Sequence, residues 1–324
     1  MTYYIRICLQ YLLALLAALT VNFLLPRMAP GDPLNSLLGS DNVSTMSAAQ
    51  KQEVLADFGL HLPLHEQFWN YLTGIFHGDF GNSVVLGMPV WDALMQRLPW
   101  TLLLMGLALV ISTLIGTLLG ILSAWRRGAV ADIATMTGSL FIGSLPPFWV
   151  AMMLIIVFST TLGWLPSFGA YQLGTSFPNW NWFLGVGKRL IMPVAALTIY
   201  QSAAVLLIAR SSMVMAREQD YVTFARSRGV SEGKIFFKHA FRNALLPLYT
   251  HVMLGLGALV GGALIVETVF SYPGLGSLVV TGVNSRDYLL LQGLFVITSV
   301  SIIAANFLTD LFYPLIDPRT RKAG

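Results

Sequence analysis

The sequence predicts an all-α membrane protein with six transmembrane helices, and three properties of the 324-residue chain lead to this fold class. Hydrophobic residues make up 56% of the chain and charged residues only 10%, whereas an ordinary soluble domain has about 25% charged residues. The mean hydropathy is +0.70. The apolar residues also cluster in runs long enough to cross a bilayer, which takes about 20 residues of helix. Together these properties exclude a soluble globular enzyme and a disordered chain.

Six apolar runs have the length of a membrane span, and each predicts a helix because backbone polar groups in hydrocarbon must hydrogen-bond within the segment. In chain order the runs cover residues 7–25, 100–124, 133–162, 190–209, 246–270 and 289–311. The third run contains Pro146-Pro147, which predicts a kink. The first run is followed by Pro26 and not by a small-residue cleavage pattern, so we expect a retained helix rather than a signal peptide.

The distribution of Lys and Arg residues predicts the orientation of the chain in the membrane. With the N-terminus in the cytoplasm, 13 of the 19 Lys and Arg residues fall in cytoplasmic segments and 6 in outer segments. The short connection at 125–132 carries Arg126 and Arg127. We therefore expect both termini in the cytoplasm. The net charge of +4 does not indicate nucleic acid, because the basic residues follow this topology and not one face of a domain.

The predicted spans divide the chain into four parts. They are a first transmembrane helix at 1–25, an external segment at 26–98, a transmembrane core at 99–316 and a cytoplasmic tail at 317–324. Within the external segment, residues 41–59 have helical spacing and predict a small helical cap over the outer mouth. Within the core, residues 213–246 form a long cytoplasmic loop, which is the candidate functional region.

The first half of this loop predicts a helix that ends at a glycine. Residues 215–228 have helix-forming composition, with Tyr221, Phe224 and Ala225 at spacing i, i+3, i+4. Gly229 then suits the position after a helix end, because glycine enters the left-handed backbone region at little cost.

A second helix is predicted to begin after the glycine. Ser231 suits its N-cap, and Glu232 suits the positive charge of its first turn. An apolar face follows, made of Phe236, Phe237, Ala240, Phe241 and Ala244, with a basic stripe made of Lys234, Lys238 and Arg242. The aromatic residues require a partner surface, which is either the membrane interface or a groove on a cytoplasmic protein.

Ionisable and small residues inside the predicted spans are the other candidate features. Glu267 lies near the outer end of the fifth run, where it either holds the following turn at 271–276 or lines a substrate path. Gly257 and Gly261 form a GxxxG pattern, as do Gly116 and Gly120. Small residues at this spacing predict close helix packing or, for the fifth span, a helix that lines a pore against a partner.

Several motifs that carry chemistry are absent from the sequence, which contains no GxxxxGK[ST], HExxH or GxSxG motif. Its single cysteine excludes an intrachain disulfide, and no His or carboxylate spacing predicts a metal site. We therefore expect no catalytic residues, no cofactor and no metal on this chain, so energy for uphill transport must come from another subunit. An ion-coupled secondary transporter and a membrane enzyme are the competing classes, but neither repeated halves nor a converging polar site is visible.

Residues 220–229 (DYVTFARSRG) and 239–247 (HAFRNALLP) resemble the ATPase-docking loop, or EAA loop, of ABC importer permeases of the dipeptide/oligopeptide/nickel family. Ala225 and Gly229 match the alanine and glycine of that motif, whereas Thr223 and Phe224 stand where the general motif has Glu and Ala. The resemblance extends over nearly the whole chain. Its other landmarks lie at 27–33, 58–60, 63–64, 78–81, 98–99, 145–149, 162–166, 267–276, 286–288 and 317–319.

The resemblance implies the first permease of a homologous pair, with the type I permease fold and a place in a bacterial inner membrane. It implies four partners besides lipid: a second permease, two ATP-binding subunits that hold ATP and Mg²⁺, and an external substrate-binding protein. The implied docking residues are Tyr221, Phe224, Ala225, Gly229, Glu232 and Arg242. The implied substrates are di- or oligopeptides, with nickel or a metal chelate as the alternative and ion-coupled secondary transport as the second alternative.

Overall fold

The structure is a computed structural model that describes residues 2–28, 43–47, 49–52, 62–172, 174 and 179–316. The described part is built almost entirely of helices. In chain order its elements are α1 Thr2–Met28, α2 Leu64–His77, β1 Asn82–Ser83, β2 Met88–Pro89, α3 Val90–Trp125, α4 Val130–Ser144, α5 Pro147–Leu154 with a π-helical segment Ile155–Thr161, α6 Trp180–Arg217, α7 Asp220–Ser227, α8 Glu232–Lys234 with a π-helical segment Ile235–Ala240, α9 Phe241–Ala258 with a 3₁₀ turn Leu259–Gly261, α10 Leu264–Val269, α11 Leu275–Asn284 and α12 Tyr288–Ile316.

Five helical segments of the described chain are long and apolar enough to cross a membrane, and a bent pair makes up to six. The predicted six-span, all-α architecture is therefore confirmed. Several helices are longer than the apolar runs that predicted them: α3 begins at Val90, and α6 has 38 residues. A 38-residue helix is about 57 Å long, whereas the hydrocarbon core is about 30 Å thick, so α6 projects beyond the bilayer.

The sequence predicted one kinked helix over the third apolar run, but the run forms two helices. It forms α4 and α5, whose axes differ in direction by 93°. Leu145 and Pro146 between them have extended backbone angles, with ψ near 130° at both residues. A residue before proline is pushed out of the helical region, and two consecutive prolines therefore end the helix here instead of bending it.

The fifth apolar run is also broken, so the prediction of one helix over 246–270 is wrong. The helical segment ends after Gly261, Gly262 has φ of +69°, and α10 begins at Leu264. A side chain at position 262 would bring a Cβ to 3.1 Å from Oε1 of Glu267 and from the backbone nitrogen of Gly276. The backbone conformation and the close approach both require glycine at this break.

Small residues set the closest helix contacts. A Cβ on Gly116 would lie 2.6 Å from the Cβ of Val205, and a Cβ on Gly120 would lie 2.6 Å from the Cβ of Ala209. These glycines therefore let α3 and α6 approach at backbone distance. Gly257 lets α9 approach α12 in the same way, because its Cβ would lie 2.7 Å from that of Ala305. The helix-packing interpretation of both glycine patterns holds at these positions.

The external segment is joined to the spans by buried polar groups. The β1–β2 hairpin pairs Asn82 with Pro89, and its Ser83 hydroxyl donates to Oδ2 of Asp287 at 2.6 Å. Asp287 is 1% exposed and also accepts from the backbone N–H of Leu290 at the start of α12. Of the cap predicted at 41–59, residues 41–42, 48 and 53–59 lie outside the described residues, and so does the tail at 317–324.

Candidate functional site

The candidate loop begins where α6 ends. Residues 215–217 belong to α6, so the helix predicted over 215–228 is divided in two. Gln219 has extended backbone angles (φ −77°, ψ 149°), which stops the α6 hydrogen-bond ladder before α7 starts at Asp220. The Tyr221 hydroxyl donates to the carbonyl of Ala216 at 3.2 Å and bridges this break. The short helix α7 is therefore tied to the end of a long, membrane-spanning one.

Gly229 terminates α7 in the way its sequence position predicted. Its φ is +76°, and its N–H donates to the carbonyl of Arg226 at 3.0 Å. The N–H of Val230 donates to the carbonyl of Ala225 at 3.2 Å. These two bonds form a Schellman motif, which needs a left-handed residue at this position. The space beside Gly229 is open, since no heavy atom of the described chain lies within 4 Å of the position of a Cβ.

Two aromatic side chains of α7 are exposed. Val222 is completely buried, but Tyr221 is 36% exposed and Phe224 is 58% exposed. The Arg228 guanidinium lies 4.6 Å from the centre of the Phe224 ring, which is a cation–π contact. Ala225 is half-buried beneath this surface. The exposed surface of α7 thus combines aromatic rings with positive charge.

Glu232 joins the two sides of the glycine turn. Its carboxylate accepts from Nε of Arg226 at 2.6 Å and lies 3.8 Å from the Arg217 guanidinium at the end of α6. The hydrogen bond to Glu232 raises the pKa of Arg226 further above its ordinary value. Ser231 occupies the N-cap position before Glu232, but its side chain makes no capping hydrogen bond. The ion pair, and not the predicted hydroxyl cap, connects this turn.

The second helix of the loop is packed against the spans. Phe236 is 2% exposed and contacts the Trp125 ring edge to face, with ring centres 4.5 Å apart. Ala240 and Ala244 are buried in the same cluster, at spacing i+4 and i+8 from Phe236. Phe237 remains 61% exposed and stacks on Trp125 with ring centres 5.8 Å apart. The predicted apolar face is therefore divided, with most of it serving to hold the loop to the ends of α3 and α6.

Arg242 is separated from the other predicted docking residues. Tyr221, Phe224, Ala225, Gly229 and Glu232 lie on α7 and the turn that follows it, whereas Arg242 is ten residues beyond Glu232, about 15 Å along the helical segment. The Arg242 side chain lines a cavity of about 850 Å³ between α3 and α9. The Lys238 side chain, which the basic stripe also includes, lies outside the described residues.

A buried ion pair lies beside the loop, and the sequence did not predict it. Asp132, in the first turn of α4, accepts from Nε and Nη2 of Arg210 at 2.7 and 2.8 Å. Asp132 also accepts from the Ser123 hydroxyl and from the Gly128 N–H. The available signal was a carboxylate at the start of one apolar run and an arginine just after another. Sequence spacing alone does not show that α4 and α6 meet.

Glu267 is fully buried and holds the turn that follows α10. Its Oε1 accepts from the Thr101 hydroxyl at 3.0 Å, and its Oε2 accepts from the Ser277 N–H at 3.0 Å. A Cβ on Gly274 would lie 2.3 to 2.6 Å from the carboxyl atoms, so the backbone of the turn wraps around this group. The sequence left two roles open for Glu267, which were to hold the following turn or to line a substrate path. These contacts are those of a carboxylate that holds a turn.

The comparisons with known proteins identify the class of protein that carries this arrangement. Residues 116–322 match the family described as the inner membrane component of binding-protein-dependent transport systems, and residues 1–105 match the N-terminal region of such membrane components. The chain belongs to this family and is an inner-membrane permease of the ABC importer type. The resemblance that the sequence analysis stated is confirmed.

Relatives of this chain include permeases of peptide transport systems. The chain is 36% identical over 319 residues to the oligopeptide transport system permease protein AppB of Bacillus subtilis, which covers 98% of both chains. It is 33% identical over 318 residues to the dipeptide transport system permease protein DppB of Escherichia coli, and this alignment covers 93% of each chain. A crystal structure of an amino acid ABC transporter with histidines is similar at TM-score 0.49 and 20% identity, over 68% of this chain and 93% of that one.

Proposed function

We propose that this permease imports di- or oligopeptides, and that α7 with its glycine turn is the surface held by an ATP-binding subunit. The exposed aromatic surface of α7 carries the second part of the proposal, because the Phe224 residue remains 58% exposed with the Arg228 guanidinium beside its ring. The names of the relatives support the first part, since AppB and DppB are named for oligopeptide and dipeptide transport.

The length of α6 favours a protein partner for α7 over the membrane surface. The apolar run of the fourth span ends at 209, and α6 continues to Arg217. Those eight residues extend about 12 Å past the end of the run. The headgroup layer beyond the hydrocarbon is only about 5 to 7 Å thick on each side. A helix that starts beyond that layer presents Tyr221 and Phe224 to the aqueous phase, where a protein groove is the surface that buries them.

The proposed mechanism follows from the rigidity of this connection. ATP closes a dimer of ATP-binding subunits, and α7 moves with the subunit that holds it. The movement reaches α6 and the spans packed on it, so the helices change from inward- to outward-facing and the solute passes between two homologous permeases. This chain contributes no catalytic group or cofactor, since ATP and Mg²⁺ are bound by the partner subunits.

The topology completes the proposal. Both termini and the loop at 213–246 lie in the cytoplasm, and the external segment faces a substrate-binding protein. The basic residues support this orientation, because Arg217, Arg226 and Arg228 cluster at the end of α6 and on α7. The four partners are a second permease, two ATP-binding subunits and the binding protein.

The docking surface is tested with two phenylalanines that are equally exposed. Phe224 and Phe168 are both 58% exposed, but Phe168 lies on the side that we expect to be external. Phe224→Ala removes a ring of the kind that contributes at least about 2 kcal/mol at the centre of an interface. We expect it to reduce co-purification of the ATP-binding subunits about 30-fold. Phe168→Ala should leave co-purification unchanged, and equal recovery from both variants contradicts the proposal.

The substrate class is tested separately, by uptake into cells that lack the chain and cells that regain it. We expect labelled di- and tripeptides to enter only when the chain is present, and unlabelled peptides to compete. Uptake of Ni²⁺ instead of peptide would replace the peptide proposal by the nickel alternative. Uptake by the purified chain without ATP-binding subunits would contradict the importer class.

A further inference from the structure

The Asp132–Arg210 ion pair is the most completely satisfied charged group beside the docking loop. The Asp132 side chain is 3% exposed, and its two oxygens accept four hydrogen bonds. The donors come from three different elements: Ser123 from the last turn of α3, Gly128 from the connection to α4, and Arg210 from α6. One carboxylate thus fixes the α3–α4 turn to the cytoplasmic third of α6.

The same region is tied together a second time, closer to α7. Arg217 at the end of α6 donates to the carbonyl of Ala124 at 3.2 Å, and its guanidinium lies over the ring of Phe236. Arg217 follows Arg210 by seven residues, which is two helical turns or about 10 Å. At the level of Arg210 the helices touch at backbone distance, since a Cβ on Gly120 would lie 3.0 Å from the Arg210 nitrogen. The last two turns of α6 therefore cannot move without the α3–α4 turn.

The element that follows this turn is a helix that ends at a sharp bend. Asp132 lies in the first turn of α4, and α4 ends at the 93° bend before Pro147. Pro146 has no backbone N–H to continue the helix, and the Leu145 N–H donates to the carbonyl of Ile142 at 3.1 Å at the end of α4. A displacement of Asp132 thus acts on a helix that is not continuous with α5 at its far end.

We propose that the Asp132–Arg210 pair is a positioning element that makes α4 follow α7 during transport. This inference depends on the proposed docking role of α7. Displacement of α7 moves the end of α6, and the bidentate ion pair carries that displacement to the N-terminus of α4. The bend at Pro146 absorbs it, so α4 swings while α5 stays in the core. The pair couples ATP hydrolysis to the opening of the membrane domain.

A purely stabilising role for the pair makes a different prediction. A buried ion pair can often be replaced by two apolar residues of similar volume without loss of stability, whereas removal of one partner leaves an unpaired charge. The double variant Asp132→Leu/Arg210→Met is therefore expected to fold and to assemble with its partners. It lacks the directional bonds between α4 and α6, so it separates assembly from coupling.

The experiment compares the complete transporter containing this double variant with the unmodified transporter in proteoliposomes. The readouts are recovery of ATP-binding subunits, ATP hydrolysis with and without loaded binding protein, and the number of peptides imported per ATP hydrolysed. We expect unchanged recovery, about a tenfold decrease in peptides per ATP, and loss of the response of hydrolysis to the binding protein. Glu218→Gln is the matched control, because it removes a nearby exposed ion pair between Arg127 in the α3–α4 connection and the residue that follows α6. Its transport ratio should not change.

An unchanged number of peptides per ATP in the double variant overturns this inference. If that variant does not assemble, Asp132→Asn/Arg210→Gln is measured by the same criteria, because the amide at position 132 can accept from the Gly128 N–H through its oxygen and donate to the Ser123 hydroxyl through its nitrogen. Failure of both variants to assemble makes the pair a folding determinant and also overturns the inference. Failure of the unmodified chain to recover ATP-binding subunits contradicts the proposed function instead, so the two failures are distinguishable.

Discussion

Replacement of Gly229 tests whether the backbone of the glycine turn, and not the mere absence of a side chain, positions α7. Gly229 has φ of +76°, and the Schellman bonds of the α7 end depend on it. No atom of the described chain lies within 4 Å of a Cβ at this position, so a side chain would meet no steric obstacle in the permease itself. The cost of substitution within this chain is therefore a backbone cost.

The free-energy cost of replacing Gly229 follows from its left-handed backbone conformation. A non-glycine residue in the left-handed region costs about 1 to 2 kcal/mol, and a β-branched residue is particularly unsuited to it. Asparagine tolerates the region because its short polar side chain hydrogen-bonds locally. Gly229→Val should therefore reduce the population of the correctly formed turn about 5- to 30-fold, whereas Gly229→Asn, which has a side chain of similar size, should reduce it much less.

The assay measures co-purification of ATP-binding subunits and peptide uptake for both variants, with the amount of membrane-inserted chain as the control. We expect normal insertion of both, loss of subunit recovery and uptake for Gly229→Val, and retention of both activities for Gly229→Asn. Unchanged recovery and uptake with valine would refute the reasoning. If asparagine fails as completely as valine, a partner backbone approaches the glycine closely and the backbone argument is wrong.

Three further predictions follow from close contacts in the fold. Gly120→Leu should destabilise the α3–α6 contact and lower the melting temperature in detergent, whereas Gly138→Leu, with no atom within 4 Å of a Cβ, should not. Gly274→Ala should cost about 1 to 3 kcal/mol in a reversible unfolding assay, because its Cβ overlaps the Glu267 carboxylate. Tyr11→Phe removes an exposed hydrogen bond to Asp310, and thermal unfolding should change by less than about 1 kcal/mol.

The features that the sequence predicted correctly depend on local chemistry. Apolar runs of span length predict membrane helices because hydrocarbon admits no unpaired backbone group. Gly229 was correctly predicted to follow a helix end, because the residue at that position often adopts the left-handed backbone conformation that glycine favours. The sequence also placed Tyr221 and Phe224 on one helix face, and both residues are exposed in the structure.

The features that the sequence did not predict depend on which helices meet. Pro146-Pro147 predicted a kink, but not a 93° bend that divides the run into two helices. The break at Gly262 was hidden within a continuous apolar run, since hydropathy does not distinguish a straight helix from two short ones. The pairing of Asp132 with Arg210 joins residues 78 positions apart. No local pattern encodes that pairing, because it arises from the packing of α3, α4 and α6.

The most direct test of the account places a photoreactive group on α7. p-Benzoylphenylalanine in place of Phe224 keeps an aromatic ring at the exposed surface and forms a covalent bond with whatever lies within a few ångströms on irradiation. In the intact inner membrane we predict one cross-linked product, which contains this chain and an ATP-binding subunit. Cross-linking to lipid, or to no protein in a preparation that imports peptides, would contradict the account.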